Sequence, residues 1–151
     1  MCHFLKWLGD FLYHVSPQIV AVVFGGLLIN RFFIRKANLS SAIDRACTLL
    51  EVVRENSARY WSEDYNKLNS EQPILEVKLK GTLIQLGAEL DFISTKYGLP
   101  AESWETDLTN LYDVCTGGNF ESAKRIAEKD RHFRAVKLAN LISQKLQHNK
   151  I

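Results

Sequence analysis

From Ile19 to Ile29 the chain carries eleven apolar or glycine residues in succession, IVAVVFGGLLI, with no polar position recurring at helical spacing. A helix that is apolar all round belongs in a large protein core or in lipid, and a chain of 151 residues offers no large core. Ser16 and Pro17 supply a helix start, because serine can cap free amides and proline in the first turn sacrifices no hydrogen bond. The pattern then continues as PQIVAVVFGGLLINRFFI to Ile34, interrupted by Asn30 and Arg31. At 1.5 Å per residue this stretch reaches roughly 27 Å, against roughly 30 Å of hydrocarbon in a bilayer. The pattern predicts a single-pass transmembrane helix over residues 16–36. A cleaved secretory signal is disfavoured, since NRFFIRK follows the run where small neutral residues would be needed.

Ahead of the span, residues 1–15 place Phe4, Leu5, Leu8, Phe11, Leu12 and Val15 at helical spacing, with Trp7 and Tyr13 of the types that favour the membrane interface. Two readings stay open for this segment: an amphipathic helix lying on the bilayer, or the start of a longer, tilted anchor. His3 and His14 have no carboxylate company and read as interfacial polar groups.

Residues 37–151 suffice for one domain, and their periodicity is helical throughout. Leu39, Ile43, Ala46, Leu50, Val53, Ser57 and Tyr60 alternate steps of four and three, which draws one stripe along a helix. Leu79, Leu83, Leu86, Leu90, Ile93 and Tyr97 form a second stripe, on a helix expected to start near Pro73 and to stop at Gly98. Trp104, Leu108, Leu111 and Cys115 form a third, ended by Gly117 and Gly118. A last helix is expected from an Asn119 cap through Phe120, Ile126, Phe133, Val136, Leu141, Ile142 and Leu146. No stretch alternates as a strand would. The expected fold is therefore all-α, a membrane helix followed by a small cytoplasmic bundle of about four helices, with SEDYNKLNSEQ as its longest loop.

Charge orients the anchor. Arg31, Arg35, Lys36 and Arg45 follow the span, whereas Lys6 is balanced by Asp10 before it, so the positive-inside rule puts the N-terminus outside the inner membrane and the bundle in the cytoplasm. Ala21 and Gly25, with Gly26 beside them, make a small-residue face that favours self-association of helices in lipid. The three cysteines, Cys2, Cys47 and Cys115, lack C-x-x-C spacing, and no histidine or carboxylate set has metal-ligand spacing; neither a metal nor a cofactor is expected.

From Ala37 to Asp113 there are seven basic and thirteen acidic residues, and from Val114 onward eight basic and three acidic. The basic excess gathers at Lys124, Arg125, Lys129, Arg131, Arg134 and Lys137. Such a face can be solvated beside acidic helices, can attract anionic lipid, or can neutralise nucleic-acid phosphates. Aromatic interleaving for base stacking is limited to Phe133, which leaves nucleic acid the least favoured partner.

Arg125 and His132, written R-IAEKDR-H, resemble the R-x(4–6)-H motif of the HEPN nucleases, although Ile126 stands where that family usually carries a polar residue. The resemblance covers two residues and implies an all-helical RNA-cleaving enzyme with Arg125 and His132 as catalytic groups at a dimer interface. No nucleophile elbow, phosphate-cradling glycine loop or paired-histidine motif accompanies it. The favoured expectation is a non-catalytic protein-interaction or oligomerisation module on a membrane anchor, with the bilayer and a second copy or another protein as partners. A membrane-permeabilising effector or toxin of a bacterial antiphage type, held inactive by its cytoplasmic domain, is the main alternative.

Overall fold

The computed structural model describes residues 17–64 and 71–150. The interfacial segment expected over residues 1–15 and the middle of the long loop, residues 65–70, lie outside the described residues. Four α-helices are formed: α1 (Pro17–Trp61), α2 (Glu71–Tyr97), α3 (Glu105–Thr116) and α4 (Lys129–His148), with one 3-10 turn at Ala101–Ser103. Among the described residues there is no strand. The chain divides into two compact units, residues 1–38 and residues 39–151, with α1 contributing to both.

In the first unit α1 presents Ile19, Val22, Val23, Phe24, Leu27, Leu28, Ile29, Phe32, Phe33 and Ile34, each more than half exposed. A Cβ added at Gly25 or Gly26 would meet nothing within 4 Å. No helix among the described residues is long and apolar enough to cross a membrane, so a spanning helix over residues 16–36 is not supported by the structure. Asn30, Arg31, Arg35 and Lys36 follow the apolar run on the same helix, which cuts the uninterrupted length short.

The second unit is a four-helix bundle whose core is drawn by the stripes. Ile43, Ala46, Leu50, Val53, Ser57 and Tyr60 of α1 are buried, and so are Leu79, Leu83, Leu86, Leu90 and Ile93 of α2. Leu39 and Tyr97 end these two stripes half-buried. From α3 come Leu111 and Cys115, with Trp104 just ahead of the helix, while Leu108 is half-buried. Gly98 ends α2 as expected: its φ of 75° is the left-handed conformation that glycine adopts without strain, and its amide donates to the Ser94 carbonyl at 2.8 Å.

The last helix departs from expectation. It begins at Lys129, ten residues after the anticipated Asn119 cap, and buries Ala135, Ala139, Ile142 and Leu146. Ile126 and Phe133, expected inside, are exposed, and Val136 and Leu141 are half-buried. Two small residues on the buried face let α4 pack closely on α3. The preceding segment is held away from helical geometry by other partners. Glu121, at φ 59°, donates its amide to the Tyr60 hydroxyl, Ala127 donates to Asp64 Oδ1, and Glu128 donates to the Trp61 carbonyl.

Candidate functional site

The segment between α3 and α4 packs across the ends of two other helices, and two of the expected basic residues are consumed there. Arg125 is 2% exposed. Its Nη1 donates to the carbonyls of Tyr60 and Glu63, where α1 ends, and its guanidinium lies over the Tyr60 ring, 4.1 Å from the centroid. The final carbonyls of a helix lack internal partners and carry the negative end of the helix dipole, so a cation placed there satisfies both.

Arg131 repeats the arrangement on α3. Its Nη1 donates to the Val114 carbonyl at 3.2 Å and to that of Asp113 at 3.4 Å. Glu128 pairs with its Nε at 2.7 Å, and the guanidinium stands 4.8 Å from the Trp61 ring centroid. Gly117 and Gly118 make room for this. A Cβ on Gly118 would lie 2.3 Å from Arg131 Nη2, and Gly118 also holds a φ of 64°.

Tyr60, Trp61 and Phe120 form the aromatic floor of this region, with Tyr60 and Trp61 edge-to-face at 5.0 Å and Tyr60 and Phe120 at 4.9 Å. Trp61 Nε1 donates to the Cys115 carbonyl at 3.2 Å. Tyr60 donates to Glu76 at 2.9 Å, and its burial, reinforced by that acceptor, pushes the phenol up to about 12. Burial likewise pushes the Cys115 thiol up to about 11. Neither group is poised as a nucleophile near neutral pH.

A cleft of about 100 Å³ opens beside this cluster, lined by Arg59, Tyr60, Glu63, Gln72, Leu75 and Arg125 among others. Arg59 pairs with Glu71 at 3.0 Å across its rim. Arg125 Nε and Nη2 are enclosed without a hydrogen-bond partner, as is His132 Nδ1, whose ring lies against Phe133. Among the described residues no hydrogen bond or ring contact joins Arg125 to His132. Arg125 precedes α4, so the two do not share a helix face as their spacing implies.

Of the six basic residues expected on one face, Lys124, Lys129, Arg134 and Lys137 are exposed, whereas Arg125 and Arg131 turn inward to cap helices. Further along, Lys145 pairs with Asp107 at 2.6 Å and Lys150 with Asp44 at 2.5 Å, so part of the basic excess is matched by the acidic helices. Ala21 and Gly26 are exposed and Gly25 half-buried in the first unit. Cys47 is free and half-buried, with its sulfur 3.5 Å from Ser143 Oγ; Cys115 is free and buried. Among the described residues no group of histidine, cysteine and carboxylate side chains could hold a metal ion. Sequence reasoning could not find the two arginine caps, because Arg125 and Tyr60 are 65 positions apart and nothing local connects them.

The chain matches no protein-family model, no curated protein and no solved structure.

Proposed function

We propose that this protein is a membrane-anchored association module: residues 16–36 hold the chain in the inner membrane, N-terminus outside, and the cytoplasmic bundle binds a protein partner without catalysis. The observation that carries this reading is the ring of exposed large hydrophobics from Ile19 to Ile34, which no described residue covers. Ten such side chains on one stretch of helix demand an apolar environment, since burying each would contribute about 1.5–3 kcal/mol. Lipid meets that demand on every side at once. The apolar run alone is short for a crossing, and anchoring draws on the interfacial residues before Pro17 and on snorkelling of Arg31.

The bundle's best-formed polar cluster supports a structural role. Its two inward arginines are occupied by helix-end carbonyls and aromatic rings, an arrangement that fixes the α3–α4 connection onto α1.

Fractionation with a carbonate wash tests the anchor: the full chain is expected in the membrane pellet, and recovery in the supernatant would overturn the reading. A reporter active only in the cytoplasm, fused after Ile151, is expected to work. Release of vesicle contents by the purified chain would instead favour a permeabilising effector.

A further inference from the structure

Helix α2 has two apolar faces. Leu75, Leu79, Leu83, Leu86, Leu90 and Ile93 are buried in the bundle. On the opposite side, Ile74, Val77, Gly81, Ile84 and Ala88 recur at steps of three and four and are exposed, with Phe92 continuing the line. Ile74 is 53% exposed, Val77 72% and Ile84 66%. A helix surface facing water has no reason to repeat branched apolar residues at heptad spacing.

We infer that this face pairs with the same face of a second copy, the two α2 helices running antiparallel about a two-fold axis between Ile84 and Gln85. The inference rests on the proposed association role of the bundle and names its partner and surface.

Charge decides the partner and the direction. In an isologous antiparallel pair, residues on one flank of the helix meet the same flank of the other copy, within about two positions, roughly 3 Å along the helix, of their reflection through the axis. With the axis between Ile84 and Gln85, Lys78 meets Glu89 of the second copy on one flank, and Lys80 meets Asp91 on the other. Lys96 meets Glu71 at the ends of the first flank. By symmetry each pair occurs twice. Between them, Val77 faces Phe92, Gly81 faces Ala88 and Ile84 stacks on its own counterpart. An in-register parallel pair would instead set Lys78 against Lys80 and Glu89 against Asp91, like charge on like.

Three of the matched residues have intrachain partners: Lys80 pairs with Glu121, Glu89 with Arg45 and Glu71 with Arg59. Lys78 and Asp91 are exposed and make no ion pair among the described residues. Gly81 allows close approach at the crossing, because a Cβ there would meet nothing in its own chain.

Disulfide trapping of the full chain in detergent tests this, in a background where Cys2 and Cys47 are replaced by serine and buried Cys115 is kept. Ile84→Cys alone is expected to cross-link. Gly81→Cys and Ala88→Cys are each expected to stay single and to cross-link when mixed. Ile84→Asp, at an exposed position, is expected to abolish association while the helical circular dichroism is unchanged. If the unmodified chain is monomeric by light scattering, this inference fails, while binding of a different protein by the bundle stands. If it associates, yet the mixed variants do not cross-link, or Gly81→Cys cross-links with itself, the association reading stands and the α2 pairing is overturned.

Discussion

Arg125 donates a hydrogen bond to the backbone carbonyl of Tyr60 while its guanidinium covers the ring of that same residue, 4.1 Å from the centroid. One side chain thereby caps the end of α1, covers the Tyr60 ring and ties the α3–α4 connection to it. Arg131 does the same for the end of α3 with Trp61 as the ring. Two of the arginines expected on the binding face, one of them also the catalytic candidate, thus make their contacts inside the bundle.

Replacing Arg125 with glutamine should destabilise the bundle by about 2–4 kcal/mol, since charge-assisted bonds are lost and buried carbonyls are left unpaired. Arg125→Lys should recover only part of this, because an ammonium cannot reproduce the planar fork over Tyr60. Lys124→Gln, next door and exposed, should fall within about 0.5 kcal/mol of the parent. Urea unfolding followed by circular dichroism measures all three.

Gly118→Ala should cost about 1–2 kcal/mol for the left-handed backbone alone, before Arg131 is displaced by the new methyl group. The contrast is Gly87→Ala in α2, where a Cβ meets nothing within 4 Å. There a gain of about 0.5–1 kcal/mol is expected, because glycine is a poor helix former. A thermal melt that ranks the two the other way would contradict the described turn.

Stability should fall at alkaline pH. Tyr60 is raised from 10.0 to about 12 and Cys115 from 9.0 to about 11, both chiefly by burial. A folded-state value above the unfolded one means that the fold favours the protonated form. The contribution is complete below the unfolded value and is lost as pH rises through the folded one, so the window runs from about 9 to about 12. Denaturant midpoints across that window should decline, and Tyr60→Phe should flatten the upper part. Thiol labelling at pH 8, mapped by mass spectrometry, should modify Cys47 well before Cys115.

Lys129, Arg134 and Lys137 changed together to glutamine should weaken adsorption of the protein to anionic vesicles by about 1 kcal/mol per residue near the surface, an effect that fades as salt rises. Helix content should be untouched, because these side chains are exposed. Arg125 and Arg131 are excluded from that test, since their loss would disturb the fold as well as the charge.

Gly25→Leu should weaken any self-association through residues 16–36 without altering the helix, as open space surrounds a Cβ there. Cross-linking yield of the full chain in membranes reads this directly. An unchanged yield would assign association to the bundle.

The heptad steps of Leu, Ile, Val and Ala by themselves determined that residues 39–116 form three helices and which side of each turns inward, because burying an apolar stripe is a local demand with a helical period. Gly98 and the Gly117–Gly118 pair marked where two of those helices stop, since backbone geometry at a helix end is also a local matter. The sequence equally showed that residues 19–29 are apolar without interruption, and the spanning helix expected there is not supported by the structure. The start of α4 was decided elsewhere. Amides of Glu121, Ala127 and Glu128 found the Tyr60 hydroxyl, the Asp64 carboxylate and the Trp61 carbonyl, partners far away in sequence that outcompeted the local helical ladder. That shift moved the buried face of α4 from Phe133 and Val136 to Ala135 and Ala139. The placement of Arg125 and Arg131 was decided in the same way. A charged residue at a given spacing reads as surface until a helix end with unpaired carbonyls and an aromatic ring is brought beside it, and only the packing of the bundle does that.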